Sequence, residues 1–272
     1  MFDDILLHET TKQRLATFIN RPAHALLISG PAGAGKKYLA KRLAAVLLQI
    51  ESDKLHNHPH FFVVARPVDK TEIPIDSARQ LINKLSLKVP GGGELINRVA
   101  VIEDADLLSG EAQNALLKLL EEPPAGSLLI LTTSRPQSIF PTVASRLQKL
   151  MLKPASLQSS QAYFQNFRPA EVESAWRLSR GTPSLLAALL AEGNDHQIKQ
   201  AVEEAKTFLS LPKYERLGFL QSTAKDKLRL ALLLDALSRI LNVLHQANIS
   251  NPPTAKKILE ARKLVYSASA SI

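Results

Sequence analysis

Eight residues near the front of the chain, Gly30-Pro31-Ala32-Gly33-Ala34-Gly35-Lys36-Lys37, have the types and spacing of a phosphate-cradling loop. The pattern G-x-x-x-x-G-K offers backbone N–H groups and one ammonium to a polyphosphate, and its next position ordinarily carries a hydroxyl that ligates magnesium. Here that position is Lys37. A second ammonium offsets part of the phosphate charge but cannot ligate a metal, so metal-assisted hydrolysis is weakened. A plainer reading leaves Lys37 on a helix surface, at a small cost against the helix dipole.

A second cluster, Glu103-Asp104-Ala105-Asp106, follows the apolar run Val99-Ala100-Val101-Ile102. Carboxylates at the carboxyl end of a buried strand beside a phosphate loop are placed to hold a metal and to activate water. The order is inverted, because an ATPase of this kind carries aspartate for the metal and then glutamate for the water. Exchanging the two displaces each carboxylate by about 1 Å, a misplacement that can cost about 10²-fold in rate. The alternative is that Glu103 and Asp104 merely solvate the strand end and cap the next helix. His56, His58 and His60 form a third polar group. Pro59 interrupts them and no cysteine accompanies them, which argues against a zinc site.

The elements that must position these groups follow from periodicity. Ala25 to Ser29 is a short apolar run of the buried parallel-strand kind, and Tyr38, Leu39, Leu43, Val46, Leu47 and Ile50 recur at helical spacing after the loop. The loop therefore feeds a helix N-terminus, where orphan N–H groups and the helix dipole favour phosphate. Further strands are expected at Phe61 to Ala65, Val99 to Ile102 and Leu128 to Thr132, with a weaker one around Leu147 to Leu152. Helices are expected at Thr11 to Ile19, Asp76 to Leu87 and Ala112 to Leu120, the last stopped by Glu121-Glu122-Pro123-Pro124. This alternation implies an α/β fold with a parallel sheet.

From about Pro154 only helical patterns remain. They break near Glu192-Gly193-Asn194-Asp195 and end in Leu-rich helices, Asp226 to Ala247 being the longest. The expected division is a nucleotide-binding domain over 1–153, a small helical lid over 154–193 and a helical domain over 194–272. Trp176 reads as a packing anchor, and Leu228, Leu232, Leu237, Leu241 and Leu244 as a helix-packing stripe.

With 272 residues, 45% hydrophobic and 22% charged, the chain has ordinary globular composition. No apolar run reaches membrane-spanning length, and the acidic start Met1-Phe2-Asp3-Asp4 is unlike a secretory signal, which predicts a cytoplasmic protein. The absence of cysteine excludes disulfides and thiol catalysis, and a net charge of +9 points to an anionic partner.

Gly30 to Lys36, the strand and acids of Val99 to Asp106, the segment Asn114-Ala115-Leu116-Leu117-Lys118-Leu119-Leu120-Glu121-Glu122-Pro123-Pro124, and Ser145-Arg146 together resemble the bacterial DNA polymerase III clamp-loader branch of the AAA+ ATPases. The N-A-L-L-K-x-L-E-E-P-P segment is specific to that branch, and the resemblance covers residues 1 to about 192. It implies an AAA+ P-loop domain, a lid, and a C-terminal collar that joins five subunits. It further implies ATP or ADP on Gly30, Gly33, Gly35, Lys36 and Lys37, with weak magnesium binding, little hydrolysis and no zinc. Thr133 or Ser134 matches the polar position that senses the γ-phosphate.

The implied partners are the gamma or tau motor and the delta subunit in a hetero-pentamer, the sliding clamp indirectly, and primer-template DNA through the assembly; no membrane is implied. DNA contact, if made, would be to the backbone, since no base-reading module is present. In the family the arginine of a Ser-Arg-Cys motif acts on the neighbouring subunit's γ-phosphate. Here the motif reads Ser145-Arg146-Leu147, which makes Arg146 the candidate finger, against the plain alternative of an arginine in a surface ion pair.

Three departures favour a non-hydrolysing stator over the motor. These are Lys37, the inverted Glu103-Asp104 pair, and Ser184 in Gly181-Thr182-Pro183-Ser184, where the motor's lid carries an arginine. The alternatives are an ATP-hydrolysing gamma or tau motor, and an unrelated P-loop nucleotide kinase. The Leu-rich terminal helices and the lack of an acceptor-site constellation argue against the kinase.

Overall fold

The structure, a computed structural model, describes residues 2, 4–87, 96–191, 193 and 196–269. The chain divides into two compact units, residues 1–155 and 156–272.

In the first unit α1 (Glu9–Asn20) leads into β1 (Ala25–Ser29), and α2 (Lys36–Leu47) follows the loop. Next come β2 (Phe61–Val64), α3 (Ile75–Ser86), β3 (Arg98–Ile102) and α4 (Gly110–Glu121). The unit closes with β4 (Ser127–Thr133), α5 (Pro141–Ala144) and β5 (Gln148–Met151). All four pairings are parallel, and the sheet order is β2-β3-β4-β1-β5.

Period-two alternation sorts the strand side chains between two layers. Leu26, Ile28, Val99, Val101, Leu128 and Ile130 meet Leu15 and Phe18 of α1 and Leu39 and Leu43 of α2. Ala25, Leu27, Ala100, Ile102, Leu129 and Leu131 meet Leu81 and Leu85 of α3 and Leu116 and Leu120 of α4. With both faces covered, β1, β3 and β4 are buried along their whole length, which is why they read as unbroken apolar runs. The edge strand β5 buries only Leu150, and this accounts for its weak signal. Strand and helix ends differ from expectation by one to three residues; β2, for instance, stops at Val64 and α3 at Ser86. Parallel pairing places the carboxyl ends of all five strands along one edge of the sheet, where the phosphate loop and the acids of β3 emerge.

The second unit is helical: α6 (Leu157–Tyr163), α7 (Pro169–Ser179), α8 (Pro183–Leu190), α9 (Gln197–Ser210), α10 (Lys213–Thr223), α11 (Lys227–Ala247) and α12 (Pro252–Ser269). Its core joins Ala201, Val202 and Ala205 of α9 to Leu233, Leu234, Ala236 and Leu237 of α11. Of the expected stripe, Leu237 and Leu241 are buried, whereas Leu228 and Leu244 are exposed. Glu192, Asn194 and Asp195 of the expected break lie outside the described residues. No helix among the described residues is long and apolar enough to cross a membrane.

Candidate functional site

The loop between β1 and α2 turns on Gly33 and Gly35, whose φ angles of 76° and 78° lie in the left-handed region that a side chain disfavours. Gly35 caps α2, so the first-turn N–H groups of that helix, which have no intrahelical acceptor, open onto the loop. Lys36 lies beneath it, only 6% exposed. Its Nζ donates to the Gly30 carbonyl at 3.0 Å, the Pro31 carbonyl at 2.8 Å and Ser134 Oγ at 2.9 Å, which uses all three ammonium protons. Burial pushes the Lys36 ammonium below its ordinary range, against the opposing pull of Asp104 and Asp106.

Lys37, one residue further on, does not simply face solvent. Its Nζ stands 2.6 Å from Asp104 Oδ2 and 3.3 Å from Glu103 Oε2, while Lys41, one turn along α2, brings its Nζ within 2.8 Å of Glu103 Oε1. The hydrogen bond to Asp104 raises the Lys37 pKa despite partial burial. Burial alone would raise that of Glu103, which is 8% exposed, but the Lys41 and Lys37 ammoniums outweigh it and hold the carboxyl below its ordinary range. Asp104 adopts φ 50°, a left-handed conformation that aspartate tolerates better than most residues, and its N–H donates to Thr132 Oγ1 at 3.1 Å. Both acids are thus committed to ammonium groups of α2. With each acid paired to an ammonium and no hydroxyl at position 37, the residues present do not fit a magnesium ion.

Asp106, which spacing alone did not single out, organises the end of β4. Its Oδ1 accepts from Thr133 Oγ1 at 2.8 Å and from the Ser134 N–H at 3.3 Å, and its Oδ2 from Arg135 Nε at 3.0 Å. Burial would raise its pKa, and these donors reverse the effect. The Thr133 hydroxyl also accepts from the Arg135 N–H at 3.0 Å. Thr133 is fully buried and occupied in this turn, and Ser134 is the residue the structure places against Lys36.

Arg146 follows α5. Its Nη2 donates to Glu121 Oε1 at 2.7 Å and its Nη1 to the Thr142 carbonyl at 2.7 Å, with 36% of the side chain exposed. The segment before α5 is tied to α4 by Gln113, which is 3% exposed. The Gln113 amide donates to the Ser138 carbonyl at 3.1 Å and accepts from the Phe140 N–H at 2.7 Å. The signal for Gln113 was present in the sequence, since it stands three residues before Leu116 on the buried face of α4.

The structure therefore gathers Gly30, Lys36, Lys37, Glu103, Asp104 and Ser134 around the loop. It holds Arg146 instead through Glu121 and Thr142. Ser184 lies in the first turn of α8, in the second unit. The His58 and His60 rings meet edge to face at 5.8 Å, and the His60 N–H donates to His58 Nδ1 at 3.3 Å, a local arrangement at the entrance to β2. Among the described residues no group of three or more His, Asp or Glu side chains is arranged to hold a metal.

Comparison with known proteins places this geometry in context. The family model described as "DNA polymerase III, delta subunit" matches residues 8–156. DNA polymerase III subunit delta' of Escherichia coli strain K12 is 30% identical over 255 residues, which are 85% of this chain and 75% of that protein. The corresponding subunit of Pseudomonas aeruginosa is 32% identical over 205 residues, 69% of this chain and 62% of the relative's length. Among solved structures, a DNA polymerase III gamma subunit-related protein from Thermotoga maritima superposes with a TM-score of 0.55 at 16% identity, covering 97% of this chain and 98% of that one. At that identity the match establishes the fold alone.

Proposed function

The chain belongs to the DNA polymerase III delta-prime family, and from that premise we propose that it is a stator of the clamp loader, hydrolysing little or no ATP itself and lending Arg146 to a neighbouring ATPase subunit. The observation that carries this reading is the capture of its own acid pair, Glu103 and Asp104, by Lys37 and Lys41. A carboxylate held by two ammoniums is a poor base for water, and an aspartate paired with Lys37 is closed to a catalytic metal. Arg146 is by contrast partly exposed and held by a surface ion pair, one carbonyl and a long contact to Ser145 Oγ. A guanidinium so placed can exchange those partners for two phosphate oxygens, and lysine would not reproduce that fork.

On this reading residues 154–193 act as a lid and 194–272 as a collar within a cytoplasmic hetero-pentamer with gamma or tau and delta subunits. The assembly sets the sliding clamp on primed DNA during replication. Gly30, Gly33, Gly35, Lys36, Lys37 and Ser134 form a nucleotide cradle that favours retention of ATP or ADP over turnover.

The test is reconstitution with motor and delta subunits, comparing wild type, Arg146→Ala and Arg146→Lys in DNA-stimulated ATP hydrolysis. A finger is worth about 10³- to 10⁵-fold at the site it serves, so both variants should lose that site's share of turnover. Unchanged hydrolysis with Arg146→Ala would remove the finger assignment. The isolated chain should show only background hydrolysis, insensitive to Lys36→Ala; a rate abolished by that variant would make it a motor.

A further inference from the structure

The loop and its acids carry a charge arrangement that hydrolysing sites obtain from a bound ion. Asp104 and Glu103 face α2, which sets two ammoniums against them, Lys37 at 2.6 Å and 3.3 Å and Lys41 at 2.8 Å. Together these carry the two positive charges that a divalent cation would contribute to the same pair of carboxylates. The Lys37 Nζ has three protons, and its two carboxylate partners account for two of them. The third can serve a phosphate oxygen, as a bridging metal does when it joins protein acids to a polyphosphate. Lys37 is the second residue of α2, two positions after the capping Gly35, so its ammonium is covalently tethered in the first turn, where the loop's N–H groups open. A tethered cation has no dissociation step, and a free divalent ion would have to displace it from both acids while finding no hydroxyl at position 37.

We infer that Lys37, supported by Lys41, is a built-in replacement for the divalent ion: the acid pair is closed to metal, and the loop takes a polyphosphate that carries none. The inference rests on the reading of Gly30 to Lys36 as a phosphate cradle, and it extends that reading by specifying the ionic form of the ligand. The preferred ligand is a nucleoside di- or triphosphate free of magnesium, with Lys37 bridging its oxygens to Asp104.

The test uses the full chain and has two arms. In the first, Mn²⁺ alone is titrated into wild type, Lys37→Ser and Lys37→Ser/Lys41→Ala, with free ion followed by electron paramagnetic resonance and folding checked by thermal melting. The single variant should bind at least about 10-fold more tightly than wild type and the double variant more tightly still, and adding Glu103→Gln should abolish the gain. Equal Mn²⁺ affinity in all three chains, whether strong or negligible, overturns the inference. In the second arm, ATP binding is compared in EDTA and in excess magnesium. Wild type should change by less than about 2-fold and Lys37→Ser should become magnesium-dependent. A 10-fold weakening of wild type in EDTA overturns the inference. Absence of ATP binding by wild type in both conditions refutes the cradle and the ligand named here, while the manganese arm separately decides whether Lys37 stands in for the metal.

Discussion

Removing the Glu121 carboxylate should make Arg146 easier to recruit. The Arg146 guanidinium has two short anchors, Glu121 Oε1 and the Thr142 carbonyl, each at 2.7 Å, and a long, weak third contact to Ser145 Oγ at 3.4 Å. The two side chains of the ion pair are 36% and 52% exposed, so the pair contributes at most about 1 kcal/mol, and the carbonyl hydrogen bond contributes about as much again. Reaching a neighbour's phosphate means giving up both, at a cost of about 2 kcal/mol, or roughly 30-fold in the fraction of time the arginine is free. Glu121→Ala removes the first half. The concentration of this subunit that half-activates the motor's DNA-stimulated ATPase should then fall by up to about 5-fold, with less than about 1 kcal/mol lost in stability. The assay is a titration of wild type, Glu121→Ala and Glu121→Gln into fixed motor and delta subunits, with urea unfolding of each variant alongside. A rise in the half-activating concentration, or loss of stimulation by a folded Glu121→Ala protein, would mean that Glu121 aims the arginine and does not restrain it, and the reasoning would fail.

Three further outcomes are expected. Arg98 is 5% exposed and its guanidinium donates to the carbonyls of Leu85, Leu87 and Ala125, joining the end of α3 to the turn before β4. Arg98→Met should cost about 2–4 kcal/mol, because buried acceptors lose their donors; urea unfolding measures it, and a cost below about 1 kcal/mol would show that the carbonyls find water. The Glu103 carboxyl is held below its ordinary range, so its contribution to stability is complete above the unfolded glutamate value of about 4.3 and is lost as pH falls through the folded value. The stability advantage of wild type over Glu103→Gln should accordingly persist at neutral pH and shrink on acidification below that value, and an advantage independent of pH would contradict the pairing. Gln113→Leu should cost about 1–3 kcal/mol by stranding the Phe140 N–H and the Ser138 carbonyl, and in the reconstituted loader it should weaken stimulation as well. Normal stimulation by a destabilised variant would confine Gln113 to a packing role.

The loop, β1, β3 and β4 were legible in the sequence because burial on both faces writes an unbroken apolar run, and the glycine spacing that follows β1 has few other uses. The partners of Lys37 were not legible. A lysine in the first turn of a helix looks solvated, and only the parallel register, which brings the ends of β1, β4 and β3 to one edge, sets it against acids more than sixty residues later. Asp106 was obscured for the same reason, since its meaning depends on the turn after β4. Which of Thr133 and Ser134 stands against Lys36 depends on which hydroxyl the β4 turn leaves facing the loop, a matter of strand alternation at the last residue of the sheet. The finger candidate was found by motif, but the glutamate that holds it, although printed in the same E-E-P-P segment, carries no sign in sequence of pointing back across α5.

The outermost strand bears on how the chain associates. β5 pairs with β1 on one side only and is four residues long, with Gln148 and Lys149 exposed along it. A short border bearing a lysine is a poor template for another strand, since extension of the sheet would desolvate that charge for little new pairing. Addition of a foreign strand at this border is thereby discouraged, so contacts made along it fall to side chains and not to the backbone ladder.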